Sequence, residues 1–359
     1  MSVDKLFRFE ERAVFMLRSL YSGFGYSPFK MSKFEEYDLY VRNKDFLISD
    51  GIITFTDTNG KLMALKPDVT LSIIKNSVDS DGKVDKFYYD ESVYRISGSS
   101  SSFKEITQTG LECIGDIGMY EICEVLTLAV KSLGMISGEY ILDLSHAGLY
   151  AAVLDTLALD SATRAEVASA IRIKSADALR TALSGDSAAI ETASKLLCSY
   201  ADTDSLRSAF SDIDSEAVKS SLYEICAAAD TLTELSLGAR INFDFSIVND
   251  VRYYSGVVFK GYIKGIPTEV LSGGQYDKLM RKMGRNSGAI GFAVYLDVLE
   301  RMDSADEYDF DYALIAGDAS PAELIRAVEN LSADGSTVAV YKALPDGIRC
   351  RKVIKAEEM

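Results

Sequence analysis

The chain has little of what marks several common chemistries. It contains one histidine, His146, and five cysteines (Cys113, Cys123, Cys198, Cys226 and Cys350) with no CxxC spacing among them. A Cys/His zinc site is therefore not expected, and scattered thiols fit reduced side chains better than a disulfide framework. No apolar run approaches the roughly 18 residues that a membrane helix needs. The N-terminal MSVDKLFRFEERA mixes both charge signs and has no apolar core, so no export signal is expected and the chain reads as cytoplasmic. A surplus of positive charge is also missing. Against 54 Asp and Glu stand 38 Lys and Arg, and the net charge of −16 repels phosphate backbones. RKMGR at 281–285 is the nearest thing to a basic cluster. Neither GxGxxG nor GxxxxGK[ST] occurs, which removes the dinucleotide-fold and P-loop readings. No cofactor is expected.

What is there suffices for a large core: 48% of the 359 residues are hydrophobic, which predicts two units, or one domain with an insertion. Helical periodicity from about Lys5 to Tyr21 places Leu6, Ala13, Leu17 and Leu20 on one face. IITFTDTNGKLMAL alternates as a hairpin around Asn59-Gly60. KFYYDESVYRI and FKEITQTGLECIG read as strands around a Gly-Ser stretch, followed by a helix over 120–133 and the strand EYILDLSH. Residues 151–237, rich in Ala, Leu, Ser and Asp, read as a helical insertion. Strands resume at INFDFSIV, VVFKGYI and TEVLSGG, and a helical segment ends near Met302. An acidic linker to Asp309 then leads to a strand-helix-strand unit over 308–359. Strands in hairpins with grouped helices predict an α+β fold on an antiparallel sheet.

Several residues admit two readings each. Tyr253 and Tyr254, in IVNDVRYYSGVVF, are either strand aromatics or the flat walls of a pocket. Asp68 caps the helix that VTLSIIKN starts, or binds a ligand, and the two are compatible. Glu112 lies between Leu111 and Cys113 in an apolar strand, where an inward carboxylate demands a partner; Gln108, four residues earlier, shares its face. Arg95 pairs with an acid or contacts an anion. His146 reads as a satisfied structural histidine, and SGGQYD as a close-approach turn.

Four segments in order, LKPDVT (65–70), YYDESVYR…FKEITQTGLECIG (88–115), IVNDVRYYSGVVF (247–259) and SGGQYDKL…GAIGFAVYLDVL (272–299), resemble the catalytic core of histidyl-tRNA synthetases over roughly the first 300 residues. DLSHAGLY and the short link between YYSGVVF and SGGQYD are most similar to a paralogue of that group, the regulatory subunit of ATP phosphoribosyltransferase. The resemblance implies a class II synthetase-like antiparallel sheet flanked by helices. The core would span 1–302 with the insertion at about 151–237, and 308–359 would be a small α/β unit similar to the first half of an anticodon-binding domain, stopping before that domain is complete. It also implies a histidine pocket. Asp68 and Thr70 would hold the ammonium, Gln108 and Glu112 would contact the backbone and imidazole, and Tyr253 and Tyr254 would line the ring, with Arg95 a candidate anion contact.

Compared with synthetases, the losses concern ATP and tRNA. Asn249 stands where a synthetase has its catalytic arginine, Val298 where the third class II motif ends in a phosphate-binding arginine, and Ser97 where a glutamate follows the motif-2 arginine. Lys66 replaces a further arginine, keeping the charge without the fork. Losing one fixed cation costs roughly 10² to 10³ in rate, so no adenylation is expected and no catalytic residue is assigned. The loop ISGSSSS has no cation for tRNA. The resemblance then implies a non-catalytic subunit that activates the short-form ATP phosphoribosyltransferase in histidine biosynthesis and mediates feedback by L-histidine. Its expected state is a homodimer within a hetero-octamer, although Ser32 replaces the proline of the first motif. The alternatives are a working histidyl-tRNA synthetase and a free-standing histidine sensor.

Overall fold

The computed structural model describes residues 7–43, 51–77, 82–96, 102–248, 253–302 and 308–358. Ser97, Asn249 and most of the acidic linker lie outside the described residues. The chain divides into two compact units, Ala13–Val298, and Leu299–Met359 together with Met1–Arg12. No helix among the described residues is long and apolar enough to cross a membrane.

Helix α1 (Phe9–Gly23) buries Ala13, Leu17 and Tyr21, spaced by four, and leads to the short strand β1 (Ser27–Pro28). A small antiparallel sheet follows, in which β2 (Phe34–Glu36), continued by α2 (Tyr37–Arg42), pairs with β4 (Leu62–Leu65), itself paired with β3 (Thr54–Thr56). The β3–β4 turn forms as expected: Asp57 Oδ1 accepts the N–H of Asn59 and of Lys61, both at 2.8 Å, and Gly60 takes φ 80°. After α3 (Thr70–Asn76) come the 13-residue strands β5 (Val84–Ile96) and β6 (Phe103–Gly115), paired along their whole length. Next are α4 (Met119–Ile136) and β7 (Tyr140–His146).

The insertion holds α5 (Ala147–Thr156), α6 (Ser161–Arg172), α7 (Ala176–Ala182), α8 (Ser187–Ser194), the two-residue β8 (Ser199–Tyr200), α9 (Thr203–Phe210) and α10 (Glu216–Glu234). Its Ser- and Asp-rich composition has a local cause. Asp160, Ser175, Asp186 and Asp202 each accept first-turn N–H groups and so start a helix. Its first helix, α5, starts at Ala147, and β8 joins the edge of the main sheet. That sheet is completed by β9 (Ile241–Asp244), β10 (Val257–Ile263), β11 (Leu271–Gln275) and, beyond α11 (Asp277–Lys282), β12 (Gly288–Tyr295), with a 3-10 turn at Asp297–Met302.

The main sheet has nine strands in the order β1-β5-β6-β12-β11-β10-β7-β9-β8. From β5 to β7 every neighbour is antiparallel, as the hairpin pattern predicts. Two outer pairs, β1 with β5 and β7 with β9, are parallel, because an intervening segment returns the chain in the same direction. SGGQYD is not a turn, since its first four residues continue β11. GAIGFAVY is a central strand where the sequence reading had only a helical segment. α4 packs on one face, with Leu133 beside Gly261. The opposite face carries the site.

In the second unit, β13 (Phe310–Ile315), α12 (Pro321–Ser332), β14 (Val338–Tyr341) and β15 (Cys350–Lys355) form a parallel sheet of order β14-β13-β15. The Ser320/Glu323 capping box and Pro321 start α12. β15 was not anticipated from its mixed basic sequence.

Candidate functional site

Strand β6 presents Gln108 and Glu112 on the same side, four residues apart, and both are buried. Across the sheet, Glu112 stands opposite Gly291 on β12, which stands opposite Gly274 on β11. Those two glycines open the cavity. A Cβ at Gly291 would lie 1.9 Å from Glu112 Oε2, and one at Gly274 would lie 2.7 Å from the ring of Tyr254.

The second wall is the segment joining β4 to α3, which backbone hydrogen bonds hold to both sheets. Lys66 N–H donates to Lys33 at 3.0 Å, Tyr94 N–H donates to Lys66 at 2.8 Å, and Arg95 Nε donates to the Pro67 carbonyl at 2.8 Å. Asp68 and Thr70 are thereby aimed into the cavity. Asp68 Oδ1 also accepts Leu71 N–H at 2.9 Å, so the residue caps the first turn of α3 while lining the cavity. Thr70 Oγ1 donates to Glu112 Oε1 at 2.8 Å, and the Tyr276 phenol donates to Oε2. The inward carboxylate thus has the partners that its burial demands.

A third wall is aromatic. Tyr253 meets Tyr254 edge to face at 4.8 Å between centroids and leans on Tyr276 at 5.9 Å. Together Asp68, Thr70, Gln108, Glu112, Tyr253, Tyr254 and Arg95 line one cavity of about 70 Å³, with Tyr89, Ser272, Tyr276 and Tyr295 completing it. Every amino-acid-directed residue named from the sequence therefore reaches the same place. The last four were missed. Tyr89 was findable, because it sits on the Arg95 face of β5 by alternation. Tyr276 was hidden inside a stretch that reads as a turn.

Burial dominates the electrostatics. It holds the Glu112 carboxyl up to about 8, with Asp68 adding to the shift and the hydrogen bonds from Tyr276 and Thr70 opposing it. Asp68 is also raised by burial, against the pull of Arg95. The phenols of Tyr253 and Tyr254 are pushed up by desolvation, so both stay neutral.

Other expectations land elsewhere. Lys66 does not face the cavity: its side chain is fully buried and pairs with Glu91 at 2.8 Å, which makes it structural. Val298 is half-buried in the 3-10 turn and is not among the lining residues. His146 Nδ1 accepts Leu149 N–H at 3.0 Å as the cap of α5, and Nε2 meets Glu224 at 3.0 Å, the satisfied role expected of it. A wider cleft of about 480 Å³ lies where β6 ends and β12 begins. Its Asp277 is already engaged by Ala289 N–H and Gln275, and its Asp116 and Arg281 are exposed, so it gathers no buried recognition set.

A largely antiparallel sheet flanked by helices, with a buried carboxylate-lined cavity on the face opposite α4, is the fold of a class II aminoacyl-tRNA synthetase-like protein. Residues 5–299 match the histidyl-tRNA synthetase family, and the chain belongs to that family. Within it, the chain is 28% identical over 296 residues to the ATP phosphoribosyltransferase regulatory subunit of Clostridium botulinum, covering 78% of this chain and 69% of the relative. It is 26% identical over 294 residues to the Clostridium kluyveri protein of the same name, covering 79% and 75%. Among solved structures, an ATP phosphoribosyltransferase regulatory subunit/histidyl-tRNA synthetase from Bacillus halodurans shares the fold with a TM-score of 0.73 at 21% identity, covering 97% of this chain and 93% of that one. A chain of the ATP phosphoribosyl transferase (HisG:HisZ) complex from Thermotoga maritima does so with a TM-score of 0.63 at 21% identity, covering 80% and 97%.

Proposed function

We propose that this chain is a non-catalytic regulatory subunit. In this reading it binds the short-form catalytic subunit of ATP phosphoribosyltransferase in the cytoplasm, activates the first step of histidine biosynthesis, and carries feedback by L-histidine. The observation that carries the reading is a division within one fold. The amino-acid-directed residues share a buried cavity, whereas the synthetase positions for ATP hold Asn249, Val298 and Ser97. The pocket chemistry suits an amino acid: Asp68 for an ammonium, Arg95 for a carboxylate, and Glu112 with a tyrosine wall for a ring bearing nitrogen. The neutral loop ISGSSSS argues against tRNA as a partner. Coupling between histidine and the catalytic subunit requires two states that histidine binds unequally.

A homodimer within a hetero-octamer belongs to the same proposal. The small sheet supports it by turning one apolar face outward: Phe34 and Phe55, about half and one third exposed, meet edge to face at 5.3 Å beside Met63 and Leu65. The test of the whole reading is the rate of phosphoribosyl-ATP formation by the catalytic subunit with and without this chain. Family membership and the retained Arg95 favour a second reading, a working histidyl-tRNA synthetase, which ATP–pyrophosphate exchange at a synthetase-like rate would establish. Histidine binding without any effect on the catalytic subunit would favour the free-standing sensor.

A further inference from the structure

Glu112 sits among groups that bring it no positive charge. Its two oxygens accept hydrogen bonds from the hydroxyls of Thr70 and Tyr276, and among the described residues it forms no ion pair. The charged groups facing the cavity are Asp68, from the segment before α3, and Arg95, from β5. The remaining titratable groups are phenols: Tyr89 of β5, Tyr253 and Tyr254 before β10, Tyr276 after β11 and Tyr295 of β12. Arg95 acts on Asp68 and is held at Nε by Pro67. With Asp68 negative and Arg95 positive, an ionised Glu112 leaves the cavity one uncompensated buried charge, which burial penalises. A neutral Glu112 closes the balance.

We propose that Glu112 meets its ligand as the neutral acid and shares its proton with an unprotonated ring nitrogen, so that the site selects an amino acid carrying a neutral imidazole. The inference rests on the amino-acid reading of the pocket and assigns its protonation. The Glu112 O–H bond points its proton at the ring nitrogen lone pair. If the proton crosses, a carboxylate–imidazolium pair of the same net charge results, and no proton enters or leaves. Arg95 and Asp68 meanwhile compensate the ligand's carboxylate and ammonium.

A window of affinity follows. Free imidazole titrates near about 6.5, below which the ligand must shed a proton to bind. Burial holds Glu112 up to about 8, above which the site must take one up. Each limb changes Kd by about tenfold per pH unit.

The experiment is calorimetric titration of the full chain with L-histidine from about pH 5.5 to about 9, repeated on Glu112→Gln, whose amide cannot ionise. The ligand's own ammonium titration is common to both proteins and cancels in their ratio. The expected ratio of wild-type to variant Kd is flat below about pH 7 and climbs about tenfold per unit above about 8. A ratio that stays constant throughout overturns the proposal. Failure of L-histidine to bind at any pH overturns the amino-acid reading instead. Should the variant not fold, the wild type decides alone. Binding at about pH 8.5 in buffers of different ionisation enthalpy is expected to take up more protons than the ligand's own ammonium accounts for, and uptake no greater than that overturns the proposal.

Discussion

Gly291 stands directly opposite Glu112 on the neighbouring strand, and a Cβ on it would come within 1.9 Å of the buried carboxylate. A single methyl group therefore competes with the side chain at the centre of the site. Gly291→Ala is expected to displace Glu112 from Thr70 and Tyr276, to lower stability by roughly 1–3 kcal/mol through overpacking, and to weaken L-histidine binding at least tenfold. Unfolding and calorimetric titration of the same variant measure both effects. Unchanged binding would place the ligand away from Glu112.

The titration of Glu112 also makes folding depend on pH. Its carboxyl lies near 8 in the fold against an ordinary 4.5. Between those values the folded protein holds a proton that the unfolded chain does not. The contribution is full below the ordinary value and is lost as pH rises through about 8, at up to about 1.4 kcal/mol per pH unit. Glu112→Gln removes this slope, so the variant should gain on the wild type from about pH 5 to about 8 in urea unfolding. Parallel profiles would show that Glu112 is ionised in the fold.

Lys66 is a structural cation. Burial lowers its titration while Glu91 opposes that fall. Lys66→Met leaves the partly buried Glu91 carboxylate without its cation and is expected to cost roughly 1–3 kcal/mol, whereas Lys66→Met combined with Glu91→Leu should recover most of the loss. Denaturant midpoints of the two variants check this. A neutral single variant would revive the phosphate-facing role that its sequence position suggested.

What could be read from the sequence follows from how each residue signals. Alternation alone put Gln108 and Glu112 on one face, and burial of a carboxylate demanded partners there. The Asn59-Gly60 turn and the long β5–β6 pair announced themselves through turn chemistry and β-rich runs. Glycine misled in the other direction. In SGGQYD and GAIGFAVY, Gly273, Gly274, Gly288 and Gly291 look like breakers, yet these glycines lie within strands, and Gly274 and Gly291 leave the room that Tyr254 and Glu112 fill. Tyr276 was lost with them. Lys66 reads in the sequence as an arginine replaced with its charge kept, and only tertiary packing sets that charge against Glu91. The parallel pairings of β1 and β9 depend on where distant segments return, which local pattern does not encode.

The outward face of the small sheet makes the oligomer testable. In the proposed homodimer, a charge introduced at the Phe34–Phe55 pair would be buried against the same apolar face, and the same charge, of a second copy. Phe34→Asp should therefore shift the chain from dimer to monomer in light scattering, with little change in the monomer's fold because Phe34 is half exposed. An unchanged mass would move the dimer contact elsewhere.

The most direct test of the central claim is the initial rate of phosphoribosyl-ATP formation by the short-form catalytic subunit, alone and mixed with this chain, with and without L-histidine. The account predicts a large stimulation by the chain, reversed by histidine and made insensitive to it by Gly291→Ala. No stimulation, with the two proteins failing to co-elute, would contradict it.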